Sequence, residues 1–127
     1  MQSNTACHLA SLLQDAAKVR LYTALGKDAW GDTLREKYRS SGVFLHDHGC
    51  EKVSSGVCVV LSGCKDRAFL TSPGAVAFLD RHVIQSIGMC DHLHVGGLFS
   101  MPKLQIELAE SLKNAKKKNP NLTVSRS

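Results

Sequence analysis

The sequence of 127 residues predicts an α/β fold with a β-hairpin attached to its sheet. Residues 18–25 are rich in β-branched, aromatic and aliphatic side chains, which is typical of a strand, and the glycine-containing segment 26–31 leads directly into a helical pattern. Two β-rich runs, 56–61 and 67–71, are separated by a connector of hairpin length and composition. The chain therefore combines a βα unit with a hairpin, and one domain is expected from its size.

The turn at 26–31 is expected to be a structural junction. Asp28 can cap the following helix through its carboxylate, and Trp30, Leu34 and Tyr38 recur every fourth residue until Gly42 ends the pattern. We expect Asp28 to cap the helix and Trp30 to pack against the core. Direct contact between this turn and a ligand is the alternative.

The remaining elements follow from periodicity. The first helix is predicted over residues 4–13 with one apolar face, and a modest helix over 78–87. A strand is predicted at 91–95, and Pro102 marks the start of a long helix. A last strand begins at Leu122. The apolar face of the first helix comprises Ala6, Leu9, Ala10 and Leu13, and that of the long helix comprises Met101, Leu104, Leu108, Leu112 and Ala115.

Composition excludes several classes of protein. The formal charge of +5 is not concentrated with stacking aromatics, and the run Lys116–Lys118 closes a helix, so no nucleic-acid partner is expected. The apolar run Val57–Leu61 is far shorter than the roughly 20 residues of a membrane helix, so no membrane partner is expected. Five irregularly spaced cysteines and the absence of a signal-peptide pattern indicate a reducing compartment, and we expect a cytoplasmic protein.

Motifs that would indicate a metal site, a nucleophile or a phosphate loop are weak or lacking in this sequence. His46 with His48, and His92 with His94, form two His-x-His pairs, and alternate residues of a strand share a face. No cysteine pair supplies further ligands, so structural or solvent-facing histidines are expected and a metal site is the alternative. The sequence contains no Gly-x-Ser-x-Gly elbow, no phosphate loop with Lys-Ser/Thr and no Gly-x-Gly-x-x-Gly fingerprint.

An ordered series of segments resembles the PfkB/ribokinase family of carbohydrate and nucleoside kinases. Asn4-Thr5-Ala6 is similar to the end of the family signature Gly-Gly-x-x-x-Asn-x-Ala, and the turn at 26–31 matches Gly-x-Asp-x-x-Gly. Residues 55–60 resemble Thr-Gly-Val-Ala-Val-Val. The further matching segments are Gly42-Val43, Phe69 to Ala75 and His92 to Gly97. The resemblance covers nearly the whole chain.

The resemblance implies a ribokinase-like three-layer α/β/α fold with a partial parallel sheet. It also implies transfer of a phosphoryl group from ATP, with Mg²⁺, to a primary hydroxyl of a sugar or nucleoside. The hairpin, at about 56–71, would belong to a β lid over the substrate. Asn4 matches the asparagine that hydrogen-bonds substrate hydroxyls, with a helix N-cap as the alternative. Cys58 lies on a lid strand and is a weaker candidate for substrate contact.

The sequence also departs from the family. The opening strand with its acidic residue and the Gly-Gly pair do not precede Asn4, and the signature Asp-Thr-x-Gly-Ala-Gly-Asp is missing. That signature supplies the catalytic base and the anion hole. We therefore expect residues 1–127 to form the N-terminal to central portion of a truncated domain, without catalytic residues or a nucleotide site and inactive alone. A non-catalytic binding or self-association module and, less favoured, a small metal-binding domain are the alternatives.

Overall fold

The computed structural model describes residues 2–15 and 18–127. The helices are α1 Gln2–Leu13, α2 Ala29–Ser40, α3 Arg81–Ser86 and α4 Pro102–Lys118, and the strands are β1 Arg20–Thr23, β2 Phe44–Asp47, β3 Val57–Ser62, β4 Arg67–Ser72, β5 His92–Val95 and β6 Thr123–Arg126. Short 3-10 helices lie at Gly74–Phe78 and Leu98–Ser100. The predicted α/β fold with parallel strands and a hairpin is confirmed.

The strands form three pairs. β1 pairs in parallel with β2, and β5 pairs in parallel with β6; the long crossover that each parallel pair requires contains a helix, α2 or α4. β3 and β4 form the antiparallel hairpin, with Val57 opposite Ser72 and Ser62 opposite Arg67. Within residues 2–15 and 18–127, the two parallel pairs are not hydrogen-bonded to each other. The parallel sheet is therefore partial.

Two apolar clusters lie on opposite faces of β1. Leu21 packs against the cluster formed by α1, α2 and neighbouring segments, which includes Ala10 and Tyr38. Tyr22, the next residue along the strand, packs against the cluster that contains residues of α3, α4 and β5. Because consecutive strand side chains point to opposite faces, β1 lies between two helical layers. This is the α/β/α arrangement.

Local signals in the sequence fix both ends of α2. The Asp28 carboxylate accepts a hydrogen bond from the backbone N–H of Gly31 at 2.7 Å, which caps the first turn. At the other end Gly42 has φ of 74°, a left-handed conformation that glycine adopts readily. The N–H groups of Gly42 and Val43 bond to the carbonyls of Arg39 and Tyr38, which forms a Schellman motif. The predicted cap and stop are confirmed.

The predicted packing of Trp30 is wrong, since its side chain is 66% exposed. Trp30 lies in the first turn of α2, whereas α1 contacts the later turns of that helix, where Asn4 meets Lys37 and the cleft between the helices includes Ser41. These contacts of α1 with α2 lie beyond the first turn, where Trp30 is exposed. Tyr38, two turns further on, is buried.

The predicted apolar face of α1 is partly wrong. Ala10 is buried, but Leu9 and Leu13 are both 45% exposed, and Cys7 takes their place in the core. The small side chains of Ala10 and Cys7 thus join the core cluster, while the longer Leu9 and Leu13 stay at its margin. The stripe of α4 is as predicted, with Leu104 and Leu108 buried.

The modest helix predicted over 78–87 is divided. The 3-10 helix ends at Phe78, and α3 begins only at Arg81, after the carboxylate of Asp80 has accepted the N–H of His82 at 2.9 Å. Because the Asp80 side chain accepts a hydrogen bond from the backbone two residues later, Asp80 caps the start of α3 and does not continue the preceding 3-10 helix. None of the helices in the described residues is long and apolar enough to span a bilayer.

The contribution of the α4 stripe to stability can be measured with two matched variants. Leu104→Ala removes a side chain that is 3% exposed and leaves a cavity, so we expect it to lower the free energy of unfolding by about 2–5 kcal/mol. Ile106→Ala on the same helix removes a side chain that is 85% exposed, and should change it by less than about 0.5 kcal/mol. Urea denaturation measures both. Equal effects would contradict the assignment of the buried face.

Candidate functional site

The root of the hairpin lies at the carboxyl end of β1, where it meets the turn that leads into α2. Ser55, two residues before β3, is 5% exposed and is held against this turn. Its N–H donates to Asp28 Oδ2 at 2.7 Å, and its hydroxyl donates to Asp28 Oδ1 at 2.8 Å. The same hydroxyl accepts the N–H of Gly26 at 2.9 Å. One serine thus joins the turn, the helix cap and the hairpin.

A second network holds the same turn from the other side. Asp47, the last residue of β2, accepts the N–H of Leu25 at 2.9 Å. Arg35 of α2 donates to Asp47 Oδ2 at 2.8 Å and to the carbonyl of Gly26 at 3.0 Å. The Arg35 and Asp47 side chains are 27% and 22% exposed, so this ion pair is less screened than a surface pair. The backbone at Leu25 and Gly26 is therefore fixed by side chains from three separate segments.

These contacts lower the pKa of both aspartates. The N–H of Ser55, then that of Gly31, hold the pKa of Asp28 below its ordinary value of 3.8. For Asp47, desolvation raises the pKa, but the N–H groups of Leu25 and Gly49 and the Arg35 guanidinium outweigh it and leave the pKa below 3.8. Both carboxylates are ionised at neutral pH, and their oxygens are occupied by hydrogen bonds that hold the turn.

The hairpin itself projects with both faces exposed. All residues of β3 and β4 are exposed, including Val59, Leu61, Phe69 and Leu70 at 49–63%. Cys58 lies opposite Thr71, whose hydroxyl donates to the Cys58 sulfur at 3.2 Å. A two-stranded hairpin is marginally stable without a covered face. Its exposed apolar side chains are suited to contact another surface.

Asn4 lies on α1, beside α2. It falls inside the first turn of α1, which begins at Gln2, so Asn4 is not a helix N-cap. Its side-chain oxygen accepts from the Lys37 ammonium at 3.4 Å, and it lines a cleft of about 230 Å³ between α1 and α2. Cys58 is not among the residues that line this cleft.

The histidines of the second pair lie on an exposed face of β5, where they form a ladder with hydroxyl groups of β6. The Thr123 hydroxyl donates to the carbonyl of Asp91, so it accepts from His92 Nδ1 at 2.7 Å. His92 Nε2 then accepts from Ser125 at 2.8 Å, and Ser125 accepts from His94 Nδ1 at 2.8 Å. This assignment holds for neutral imidazoles.

The ladder runs head to tail along the strand. His92 Nε2 points along the strand to Ser125, and His94 Nε2 points in the same direction to Ser127 at 3.3 Å, so the two Nε2 atoms are directed at different partners. In the other pair, His46 stacks on Tyr22 with centroids 4.3 Å apart. The described part of the chain holds no group of three or more histidine, cysteine, aspartate or glutamate side chains placed to bind a metal.

An apolar cavity of about 220 Å³ lies elsewhere, between α3, α4 and the amino ends of β5 and β6. Cys90 lines it, and burial raises the pKa of the Cys90 thiol. Ligands in open α/β sheets bind at the carboxyl ends of the strands. The hairpin root, at the carboxyl ends of β1 and β2, is therefore the stronger candidate for a functional site.

Comparison with protein families matches residues 2–126 to the pfkB family carbohydrate kinases. This chain belongs to the pfkB family. Comparison with curated proteins gives no match.

Solved structures of kinases share the fold. The ribokinase of Giardia lamblia has 20% sequence identity and a TM-score of 0.80, with 98% of this chain and 39% of that chain covered. Anopheles gambiae adenosine kinase, in complex with P1,P4-di(adenosine-5) tetraphosphate, has 18% identity and a TM-score of 0.74, covering 95% and 37%. The ribokinase of Cryptococcus neoformans var. grubii serotype A, in complex with ADP, has 25% identity and a TM-score of 0.73, covering 98% and 36%. This pfkB chain thus spans less than half the length of these kinases, and its fold is ribokinase-like.

Sequence reasoning found Asp28 but missed its partners. The resemblance at residues 55–60 included Ser55, yet gave it no role, and Arg35 and Asp47 were not singled out. Ser55 stands where the family pattern has threonine, and a hydroxyl residue before a glycine was the available signal. For Arg35 the sequence offered no signal beyond its place on the polar side of α2.

The Asp47 network predicts acid sensitivity. A carboxylate whose pKa is depressed in the folded state stabilises that state above the unfolded pKa, and the stabilisation is lost as pH falls through the folded pKa. We expect Asp47→Asn to lower the free energy of unfolding by about 1–3 kcal/mol at pH 7, because it removes charge-assisted hydrogen bonds. The difference in free energy of unfolding between the variant and the parent should shrink below about pH 4.

Urea denaturation between pH 7 and pH 3 measures this difference. Asp91→Asn is the control, since Asp91 is exposed and its substitution should change stability by less than about 0.5 kcal/mol. A difference between parent and Asp47→Asn that stays constant down to pH 3 would show that the carboxylate charge is not what stabilises the turn.

Proposed function

We propose that this chain is a segment of an ATP-dependent kinase that phosphorylates a primary hydroxyl of a sugar or nucleoside in the cytoplasm. The observation that carries the proposal is the family match over residues 2–126. The hairpin root at the carboxyl ends of β1 and β2 supports it, since substrates of open α/β enzymes bind at that edge. In this proposal the hairpin is the lid over the substrate.

The substrate contacts that we propose are Asn4 and, more weakly, Cys58. The Asn4 amide can both donate to and accept from sugar hydroxyls, and it is exposed on the cleft between α1 and α2. Its bond to Lys37 is long, at 3.4 Å, and lies at the surface, so it is readily exchanged for a ligand. Cys58 lies on an exposed face of the lid that it shares with Val60 and Phe69.

ATP and Mg²⁺ do not fit the residues present. The described residues contain no cluster of three side chains suited to a cation, and the sequence contains no glycine-rich anion loop of the family's Gly-Ala-Gly-Asp type. We therefore propose that the catalytic base, the anion hole and the nucleotide site belong to parts of the enzyme that these residues do not include. The role of this chain is to bind and cover the phosphate acceptor.

The proposed role predicts substrate binding without turnover. We expect at least one pentose, hexose or nucleoside from a panel to bind this chain, measured by saturation-transfer NMR and titration. Asn4→Ala should weaken that binding about fivefold, the effect of losing one hydrogen bond. Asn121→Ala is the control, since Asn121 is an exposed asparagine in the turn before β6. With ATP and Mg²⁺, phosphorylation should not exceed that of a heat-inactivated sample.

Two results would count against the proposal. Absence of binding across the whole panel would remove the substrate role, and equal affinities of the Asn4 and Asn121 variants would remove Asn4. Turnover above the heat-inactivated sample would mean that a catalytic base lies within residues 1–127.

A second candidate function is self-association through the hairpin. The exposed apolar residues on both faces of β3 and β4 favour it, and so do the unpaired strand edges. We expect a concentration-dependent dimer in size-exclusion chromatography with light scattering. Leu70→Glu should raise the dimer Kd about tenfold or more, because burying a charge costs at least about 1.4 kcal/mol.

Leu12→Glu provides the control, because Leu12 is 80% exposed on α1, far from the hairpin in sequence. A monomer at every concentration would exclude this second function.

A further inference from the structure

The hairpin is attached to the rest of the molecule through its root. Every residue of β3 and β4 is exposed, and the two strands pair with each other. No buried side chain of either strand anchors it from above or below. The orientation of the hairpin therefore depends on the segments that enter and leave it.

These two segments are in tight contact with each other. The N–H of Ala75, on the leaving segment, donates to the carbonyl of Ser54, on the entering segment, at 2.9 Å. Gly74 has φ of 57°, and a Cβ there would lie 2.5 Å from the Ser54 carbonyl oxygen. A Cβ on Gly56 would lie 2.5 Å from the carbonyl oxygen of Pro73. The two segments are held against each other, so a contact that fixes one also restrains the other.

The carboxylate of Asp28 is one of the contacts that hold this root, beside the bond from the Gly26 N–H to the Ser55 hydroxyl and the buried side chain of Ala75. Capping α2 uses only the bond from Gly31 to Oδ1, whereas the N–H and the hydroxyl of Ser55 occupy both oxygens. A helix cap needs a single acceptor, as Asp80 demonstrates at the start of α3, where its backbone bond is from His82. The two additional bonds of Asp28 therefore serve the hairpin root and not the helix.

We propose that Asp28 is a positioning residue that fixes the orientation of the hairpin relative to β1 and α2. The ionised carboxylate accepts from Ser55, and Ser55 carries both segments of the root with it. Any effect of this orientation on a bound substrate rests on the proposed function. The orientation of the hairpin itself does not depend on it. Loss of the Asp28 bonds widens the range of hairpin orientations while the rest of the fold remains.

The decisive variant is Asp28→Asn. The amide keeps one oxygen for the N–H of Gly31, so α2 stays capped, but its NH₂ group faces the N–H of Ser55, a donor against a donor. Asp80→Asn is the matched control, because Asp80 also caps a helix but makes no bond to the hairpin root. Ser55→Ala is a second variant, which leaves Asp28 intact and removes the hydroxyl.

Two measurements without any ligand report on the hairpin. Cys64 lies in the loop at its tip and is exposed, so it can carry one nitroxide, with the second on a cysteine introduced at the exposed Lys113 of α4. The other exposed or half-buried cysteines, 50, 58 and 90, are replaced by serine. Electron–electron double resonance gives the distance distribution, and hydrogen exchange gives the protection of hairpin amides.

We expect Asp28→Asn and Ser55→Ala to broaden the distance distribution while helical circular dichroism is retained. Exchange of the hairpin amides should accelerate about fivefold to thirtyfold, as for the loss of one or two hydrogen bonds. Asp80→Asn should change neither quantity. An unchanged distribution in both Asp28→Asn and Ser55→Ala would overturn the proposal, and if Asp28→Asn does not fold, Ser55→Ala alone decides it. Because no substrate is used, this outcome is independent of whether sugars or nucleosides bind.

Discussion

The backbone of Leu25 and Gly26 is the point on which the other elements depend. Its N–H and carbonyl groups are bonded to side chains from three segments: Asp47 at the end of β2, Arg35 within α2, and Ser55 at the hairpin root. A buried peptide group without a partner is costly, so each of these side chains holds its own segment against the turn. The turn therefore sets the positions of α2, β2 and the hairpin together.

Steric crowding explains why two positions of this turn are glycine. A side chain at Gly26 would overlap the backbone of Ser55, and one at Gly31 would overlap the carbonyl oxygen of Gly26. Neither glycine has a positive φ, so close approach of backbones, and not conformational freedom, requires them. The match to Gly-x-Asp-x-x-Gly thus describes a packing site in which the aspartate joins a helix cap to the hairpin root.

The location of this junction bears on function. In a pfkB chain, a hairpin anchored at the carboxyl ends of parallel strands lies at the edge where open α/β folds bind ligands. The other chemical groups are engaged elsewhere. The imidazoles of His92 and His94 bond to hydroxyls of β6 in a head-to-tail ladder, and the apolar cavity beside Cys90 lies at the amino ends of the strands. The hairpin root is therefore the candidate functional site.

The sequence by itself determined the elements, because their signals are local. The cap at Asp28, the stop at Gly42, the hairpin and the stripe of α4 follow from side chains within a few residues of each other. Only the tertiary structure decided which faces are covered and which polar groups meet. Trp30 continues the helical pattern but lies beyond the reach of α1, and Ser55 meets Asp28 from 27 residues away in the chain. Such contacts depend on how segments are placed relative to one another, which periodicity does not encode.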